Sequence, residues 1–262
     1  MSTYDRPNTS TLRELESSSE IAVVIATSDR FELLSDRALQ SVVEQTRRPD
    51  YLVVIDDSRL ESCRFRNRDL VVSLNLPGCR VKYLENSRTE GASGSWNTAL
   101  DFLLRETEDP SRLYVAILDD DDAWARSYLE RCHAMAYDCE LDMVAADIRR
   151  IESDVEAPLL GEGPSELRAG EFLVGNPGIQ GSNLFLRLNV LLAAGGFDEA
   201  LQSSTDRDLC IRLADLGIVR YGRLPVALVD HYAIPDQMRL STRGSVAKLE
   251  GLTAFWRKYV GR

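Results

Sequence analysis

The stretch YVAILDDDDAW, residues 114–124, runs an apolar segment straight into four consecutive aspartates, Asp119 to Asp122. Four like charges side by side repel, so water, a helix end or a cation has to make them tolerable. If the chain is extended there, Asp119 and Asp121 fall on one side. Two carboxylates on one side can share a divalent cation. Mg²⁺ and Mn²⁺ take oxygen ligands and keep waters and substrate phosphates in their shell, so such a pair would anchor a diphosphate. The competing reading is structural: Asp122 or a neighbour caps the helix expected to follow, and the rest form a solvated acidic edge.

Other residues have types and spacings that could do chemistry. In LVVIDDS, Asp56 and Asp57 could accept hydrogen bonds from a nucleobase N–H or ribose hydroxyls, or simply build a turn. In NSRTEGASGSWN, residues 86–97, Gly91 and Gly94 would let backbone approach a ligand, and Arg88 could meet a phosphate. That stretch fits neither GxGxxG nor GxxxxGK[ST] spacing, and Trp96 reads as packing. Asp206 and Asp208 precede an apolar helical stripe, Leu209, Ile211, Leu213 and Leu216. Asp206 is therefore either a cap or a general base projecting into a cleft. Of the two histidines, His133 lies within an amphipathic segment and reads as structural or surface. His231 ends a strand-like run, where it is either a third metal ligand or a hydrogen-bonded histidine.

These residues need elements to hold them. Short β-branched runs at 21–26, 51–55, 81–84 and 113–118 alternate with helical patterns in FELLSDRALQSVVEQT, GASGSWNTALDFLLRE and ARSYLERCHAMAYD. Strand and helix at βαβ spacing predict an α/β fold, a mostly parallel sheet with helices on both faces. Ligands bind such sheets outside the carboxyl ends of the strands. Those ends carry TSDR, DDS and DDDD, so the acidic residues share one edge. Beyond residue 141 the pattern predicts a strand leading to a hairpin, a loop over 151–170 as the best candidate for mobility, two helices, a strand ending at His231 and a C-terminal helix.

Composition narrows the function classes. The chain has 262 residues, 44% of them hydrophobic, with a formal net charge of −11. That acidity argues against binding nucleic acid or an anionic membrane surface. Five cysteines without C-x-x-C spacing argue against a disulfide framework or a zinc site. The polar stretch 1–19 reads as a flexible lead without the apolar segment of a signal peptide. No apolar run approaches the ~20 residues that span a bilayer. The expectation is a cytoplasmic protein without membrane insertion: one domain over 20–262, with a nucleotide-binding half over about 20–125 and an acceptor-side half over about 126–262.

In order along the chain, VVIATSDR, VVIDDS, NSRTEGASGSWNTAL, AILDDDDAW and GGFDE…STDRDLCIRL resemble the motifs of the inverting glycosyltransferases of family 2, which have the Rossmann-like GT-A fold. The resemblance covers about residues 20–240. It implies a metal-dependent sugar transfer from a nucleotide-diphosphate donor to an acceptor hydroxyl. By position it implies nucleotide contacts from Thr27, Arg30, Asp56, Asp57, Arg88, Asp119 and Asp120. Asp121 would hold Mn²⁺ or Mg²⁺, with His231 where some relatives supply a further ligand, and Asp206 would be the catalytic base. NPGIQGSN would line the sugar or acceptor side, with Gln180 and Asn183 as its polar contacts. Two positions depart from the pattern: Trp96 stands where the family usually has arginine, and Thr205 where it usually has glutamate. A nucleotidyltransferase fits less well, because IATSDRFELL lacks a glycine- and arginine-rich phosphate loop. A non-enzymatic sugar-nucleotide-binding module is the other alternative, and the retained Asp119, Asp121 and Asp206 argue against it.

Overall fold

The computed structural model describes residues 19–152, 155–156, 162–233 and 246–262. The four apolar runs form parallel strands: β1 (Glu20–Thr27), β2 (Tyr51–Asp56), β3 (Arg80–Glu85) and β4 (Leu113–Asp119). β2 is buried along its whole length, as a strand covered on both faces must be. Register decides where the strands end. Thr27 pairs with Asp56, and Ala26 with Asp119. The ends of β1, β2 and β4 therefore stop at one level, and their polar residues emerge together.

The rest of the sheet is mixed. β5 (Ala123–Trp124), β6 (Met143–Glu152), β7 (Val155–Glu156), β8 (Leu184–Arg187) and β9 (Tyr221–Tyr232) extend it in the order β3-β2-β1-β4-β8-β6-β9-β5, with β7 on β6. β8 runs antiparallel to both β4 and β6, while β9 is parallel to β6 with register shifts around Asp147. The hairpin expected after β6 is present as the β6–β7 pair.

Helices cover both faces. On one lie α1 (Phe31–Leu33, a π-helical stretch Leu34–Leu39, then Gln40–Val43), α2 (Glu61–Ser73) and α4 (Tyr128–Asp138). On the other lie α3 (Ala92–Glu106), α5 (Ala169–Val174), α6 (Leu188–Ala193), α7 (Thr205–Asp215) and α8 (Val246–Tyr259). Alternation along β1 feeds both cores: Ile21, Val23 and Ile25 face the first set, and Ala22 and Val24 the second. The sequence pattern missed α2 because that helix buries only Asn67 and Val71 and so carries no apolar stripe. The expected loop over 151–170 lies partly outside the described residues. Its described end is tied down where Tyr221 Oη donates to the Pro164 carbonyl, 3.0 Å away.

α3 meets the loop before it at very close range. A Cβ built on Gly94 would stand 1.8 Å from the Thr89 carbonyl oxygen. Helix propensity alone favours alanine there by about 0.8–1 kcal/mol. Over-packing against fixed backbone costs about 2 kcal/mol or more and should win. Gly94→Ala is expected to lower Tm by roughly 2–4 °C or more, from a net cost of about 1 kcal/mol at 2–4 °C per kcal/mol. An unchanged or raised Tm in calorimetry would show that the 89–91 backbone gives way.

Candidate active site

The aspartate run does not start a helix. α4 begins only at Tyr128, after β5, with Ser127 at its N-cap. This corrects the capping reading of Asp122. Nor is the run extended, as sharing a cation between Asp119 and Asp121 alone would require: Asp122 N–H donates to the Asp119 carbonyl at 3.1 Å, which closes a turn. The turn brings carboxylate oxygens of Asp119, Asp121 and Asp122 within 4.8 Å of one another. Three convergent hard oxygen donors suit Mg²⁺ or Mn²⁺.

Asp122 is a member that the sequence pattern did not single out as a ligand, and it is held from three directions. Ser182 Oγ donates to it at 2.7 Å, Tyr232 N–H at 3.3 Å, and His231 Nδ1 lies 3.1 Å from both its oxygens. His231 is thus placed behind Asp122. The convergent group of Asp119, Asp121 and Asp122 does not include it. A hydrogen bond from a histidine orients the carboxylate it meets. Ser182 Oγ also accepts from Asp119 N–H at 3.1 Å, so one hydroxyl fixes two members of the cradle.

Asp120 turns the other way. It is fully buried, accepts from Thr27 Oγ1 at 2.8 Å and pairs with Arg30 Nη2 at 2.7 Å. Burial pushes its carboxyl up to about 7 despite the Arg30 charge. Asp120 and Thr27 were expected to touch a nucleotide. Their polar side-chain atoms face each other inside the protein, so both serve as supports. Arg30 also reaches Asp121 at 3.3 Å, and Arg37 donates to the Asp121 carbonyl at 2.7 Å while stacking on the Tyr232 ring. Burial together with the Asp122, Asp121 and Asp120 charges holds the Asp119 carboxyl well above the usual range.

At the end of β2 the two aspartates diverge. Asp56 is buried and filled by Ser58 N–H, Asn67 Nδ2 and Tyr83 Oη at 2.8, 2.8 and 2.9 Å, which takes it out of reach of a ligand. Asp57 is half-buried, accepts from Asn86 Nδ2 and Gly91 N–H, and stays at the rim.

Arg88 does not face the cradle. It donates to Glu199 at 2.6 Å and Asp101 at 2.8 Å. That corrects its expected phosphate role: it pins the Gly-Gly-Phe-Asp-Glu turn to α3. Glu199 also accepts from Asn97 Nδ2 at 2.8 Å and Thr89 N–H at 3.2 Å. Burial would raise its carboxyl, but hydrogen bonds from Asn97, Thr89 and Arg88 hold it down to about 2. A depressed folded-state value stabilises the fold above the unfolded value of about 4.3, and that stability is lost as pH falls. Denaturant midpoints between pH 5 and 2 should therefore fall less in Glu199→Gln than in the parent. Parallel curves would remove Glu199 from the acid response.

Asp206 stands in the first turn of α7, half-buried, after Ser204 in the left-handed region at φ 63°. Its carboxylate accepts from Asn176 Nδ2 at 2.8 Å and from Arg207 N–H at 2.8 Å. Burial raises its carboxyl above the ordinary value, with the Arg207 N–H and charge opposing. Asn176 folds its own loop, accepting from Gly178 N–H and Ile179 N–H and donating to the Ile179 carbonyl. That Asx turn joins Asp206 to the Gly181–Asn183 turn beside Asp119. Asn183 is fully buried, with its amide bonded to Ala146 and Gly178 carbonyls and to Gln180 N–H. It is a structural residue, not the expected substrate contact. Gln180 closes the same turn and stays half-exposed. Trp96 is buried against Phe197, ring centroids 4.6 Å apart.

No helix among the described residues is long and apolar enough to cross a membrane. The fold is shared with solved glycosyltransferases. S. aureus TarS residues 1–349, in complex with UDP-GlcNAc, superposes with a TM-score of 0.63 at 18% identity over 87% of this chain and 62% of that one. The mannosyltransferase PcManGT from Pyrobaculum calidifontis, in complex with GDP-Man and Mn²⁺, superposes with a TM-score of 0.61 at 18% identity over 92% of this chain and 64% of that one. The chain thus spans less than two thirds of either relative's length. No curated protein matches the sequence. Residues 22–189, well over half of the chain, match the glycosyl transferase family 2 pattern, and with the GT-A sheet carrying an acidic cradle at its strand ends, the chain belongs to glycosyl transferase family 2.

Proposed function

We propose that this chain transfers a sugar from a nucleotide-diphosphate donor to an acceptor hydroxyl, with inversion. A divalent cation would be held by Asp119, Asp121 and Asp122. The observation that carries this reading is the placement of two kinds of carboxylate around one loop. Three converge at the end of β4, and a fourth, Asp206, is held by Asn176 at the other end of the 176–183 turn.

Bound in the cradle, Mn²⁺ or Mg²⁺ would stabilise charge building on the leaving nucleoside diphosphate. Ser182, His231 and Tyr232 keep Asp122 aimed, and Arg30 and Arg37 keep Asp121 aimed. Asp57, half-buried and bonded to Asn86 Nδ2 and Gly91 N–H, would meet base or ribose. Asp206 removes the proton from the acceptor hydroxyl as that oxygen attacks the anomeric carbon. Its raised pKa makes it a stronger base than an exposed aspartate. One base on the face opposite the leaving group gives inversion without a covalent intermediate.

A thermal-shift panel tests the reading with UDP, GDP, dTDP and CDP, each with Mn²⁺ and with EDTA. One nucleotide at a hundred times its Kd should stabilise the protein by about 2.7 kcal/mol, and only with Mn²⁺. A shift that survives EDTA would remove the cation from the mechanism. Silence toward all four would overturn the proposal.

A further inference from the structure

α8 carries two apolar faces. Gly251 and Phe255 are buried against the body of the protein. Leu249, Leu252 and Trp256, at i, i+3 and i+7, form a second stripe, with Leu249 57% and Trp256 67% exposed. A surface helix needs only one such stripe to hold it in place. The second stripe lines a cleft of about 380 Å³, together with Leu173 of α5 and Arg207 of α7. That volume is within the range of small-molecule sites, about 300–1,000 Å³.

The cleft adjoins the proposed base through two of its walls. Arg207 directly follows Asp206, and its N–H donates to the Asp206 carboxylate at 2.8 Å. Leu173 lies three residues before Asn176, whose Nδ2 donates to the other Asp206 oxygen at 2.8 Å. Three residues of chain span at most about 11 Å. An acceptor that presents a hydroxyl to Asp206 can therefore lay its far end in the cleft.

What the walls offer decides the occupant. Their polar groups are already engaged. Thr253 Oγ1 donates to the Leu249 carbonyl at 2.8 Å, and Arg207 Nε and Nη2 donate to the Phe172 and Leu173 carbonyls at 2.9 and 3.0 Å. The Arg207 guanidinium also stacks on Phe255, 4.3 Å from the ring centre. Little remains to replace the water that sugar hydroxyls or peptide groups would give up on entry. The stripe is also long: Leu249 to Trp256 covers about 10 Å along the helix. An apolar track of that length fits a linear hydrocarbon chain.

The geometry points to this cleft as the subsite for the apolar part of the acceptor, an alkyl chain joined to the group whose hydroxyl Asp206 deprotonates. This rests on the glycosyl-transfer reading and names its acceptor class, an amphiphile rather than a free sugar. The tryptophans supply a reporter. Of the three, Trp96 and Trp124 are 5% and 4% exposed, so iodide should quench Trp256. Hexyl, octyl and decyl glucoside, each below its micelle-forming concentration, should shield Trp256 and shift its emission to the blue. Glucose should do neither. Each added CH₂ should tighten binding by up to about fourfold until the cleft is full. Leu249→Ser keeps the reporter and should weaken octyl glucoside by about tenfold, the scale of one apolar side chain lost from a contact. Its Tm, and its Kd for whichever of UDP, GDP, dTDP and CDP binds with Mn²⁺, should match the parent's, since Leu249 is exposed. With UDP-glucose, UDP-GlcNAc and GDP-mannose tried in turn as donor, octyl glucoside should stimulate diphosphate release and glucose should not.

Octyl glucoside and glucose acting alike would overturn the inference. So would Leu249→Ser binding octyl glucoside as the parent does, or bound octyl glucoside failing to stimulate release from a donor that binds. A parent that sediments as a dimer, and that Leu249→Ser turns into a monomer, would overturn it too, because a second copy would then fill the cleft. Nucleotide binding without alkyl-chain binding fails this inference alone. Alkyl-chain binding with silence toward every nucleotide fails the glycosyl-transfer reading, and the acceptor role with it.

Discussion

Asp206→Asn is expected to lower the rate of sugar transfer by about a thousandfold, within the range for loss of a general base, and to leave the Kd of the donor's nucleoside diphosphate unchanged. The amide keeps the shape and can still meet Asn176, 2.8 Å away, so the 176–183 turn should hold. What disappears is the ability to take a proton. Because burial raises the Asp206 carboxyl, kcat/KM of the parent should fall as pH drops through a value above the usual ~3.9 for aspartate. The protonated form is the inactive one, so activity lies on the alkaline side. The Asn variant should lack that acidic limb. Steady-state rates with a coupled diphosphate assay read both. Turnover within about tenfold of the parent, ~1.4 kcal/mol in barrier, would remove Asp206 as the base.

Asp121→Asn should abolish Mn²⁺-dependent stabilisation by the nucleotide while the unliganded protein melts no lower. The side chains of Asp120 and Asp121 both meet the Arg30 guanidinium, within a run of four carboxylates. Removing one negative charge therefore relieves repulsion and at the same time removes a ligand. The matched control is Asp120→Asn. That residue is buried with Thr27 and Arg30 and lies outside the convergent group. Asp120→Asn weakens the contacts to Thr27 and Arg30, but Arg30 keeps Asp121 at 3.3 Å, so the cation response should be retained. Calorimetric melts of both variants with and without Mn²⁺ and nucleotide separate the two roles. If Asp120→Asn lost the cation response and Asp121→Asn kept it, the ligand assignment would be reversed.

The parts of the site visible in the sequence are those set by short-range pattern. β-branched runs ending in polar residues locate Thr27, Asp57 and Asp119, because a parallel register brings those strand ends level. Asp206 is visible because a charged pair opens an apolar helical stripe. What could not be read depends on pairings between distant segments. Nothing near Ser182 in the chain reveals that its hydroxyl serves two aspartates, 63 and 60 residues away. Arg88 and Asn183 have the right types for ligand contacts, but their neighbours in space consume them. The competing reading, in which Asp122 or a neighbour caps a helix, arises because no local signal announces β5, a strand of two residues held by its pairing with β9. α2 was missed for the opposite reason: it is a polar helix carried by its packing on the sheet.

The three-way support of Asp122 bears on how the protein comes together. Its partners Ser182 and His231 lie 60 and 109 residues along the chain, so Asp122 is fully supported only after β4, the 176–183 turn and β9 have met. Contacts of such sequence separation form slowly and late. A chain in which β9 has not docked lacks the His231 and Tyr232 contacts that hold Asp122. A cation bound across the aspartates would then knit the two ends of the domain into one cooperative unit, and amide exchange along β9 should slow when Mn²⁺ and nucleotide are present.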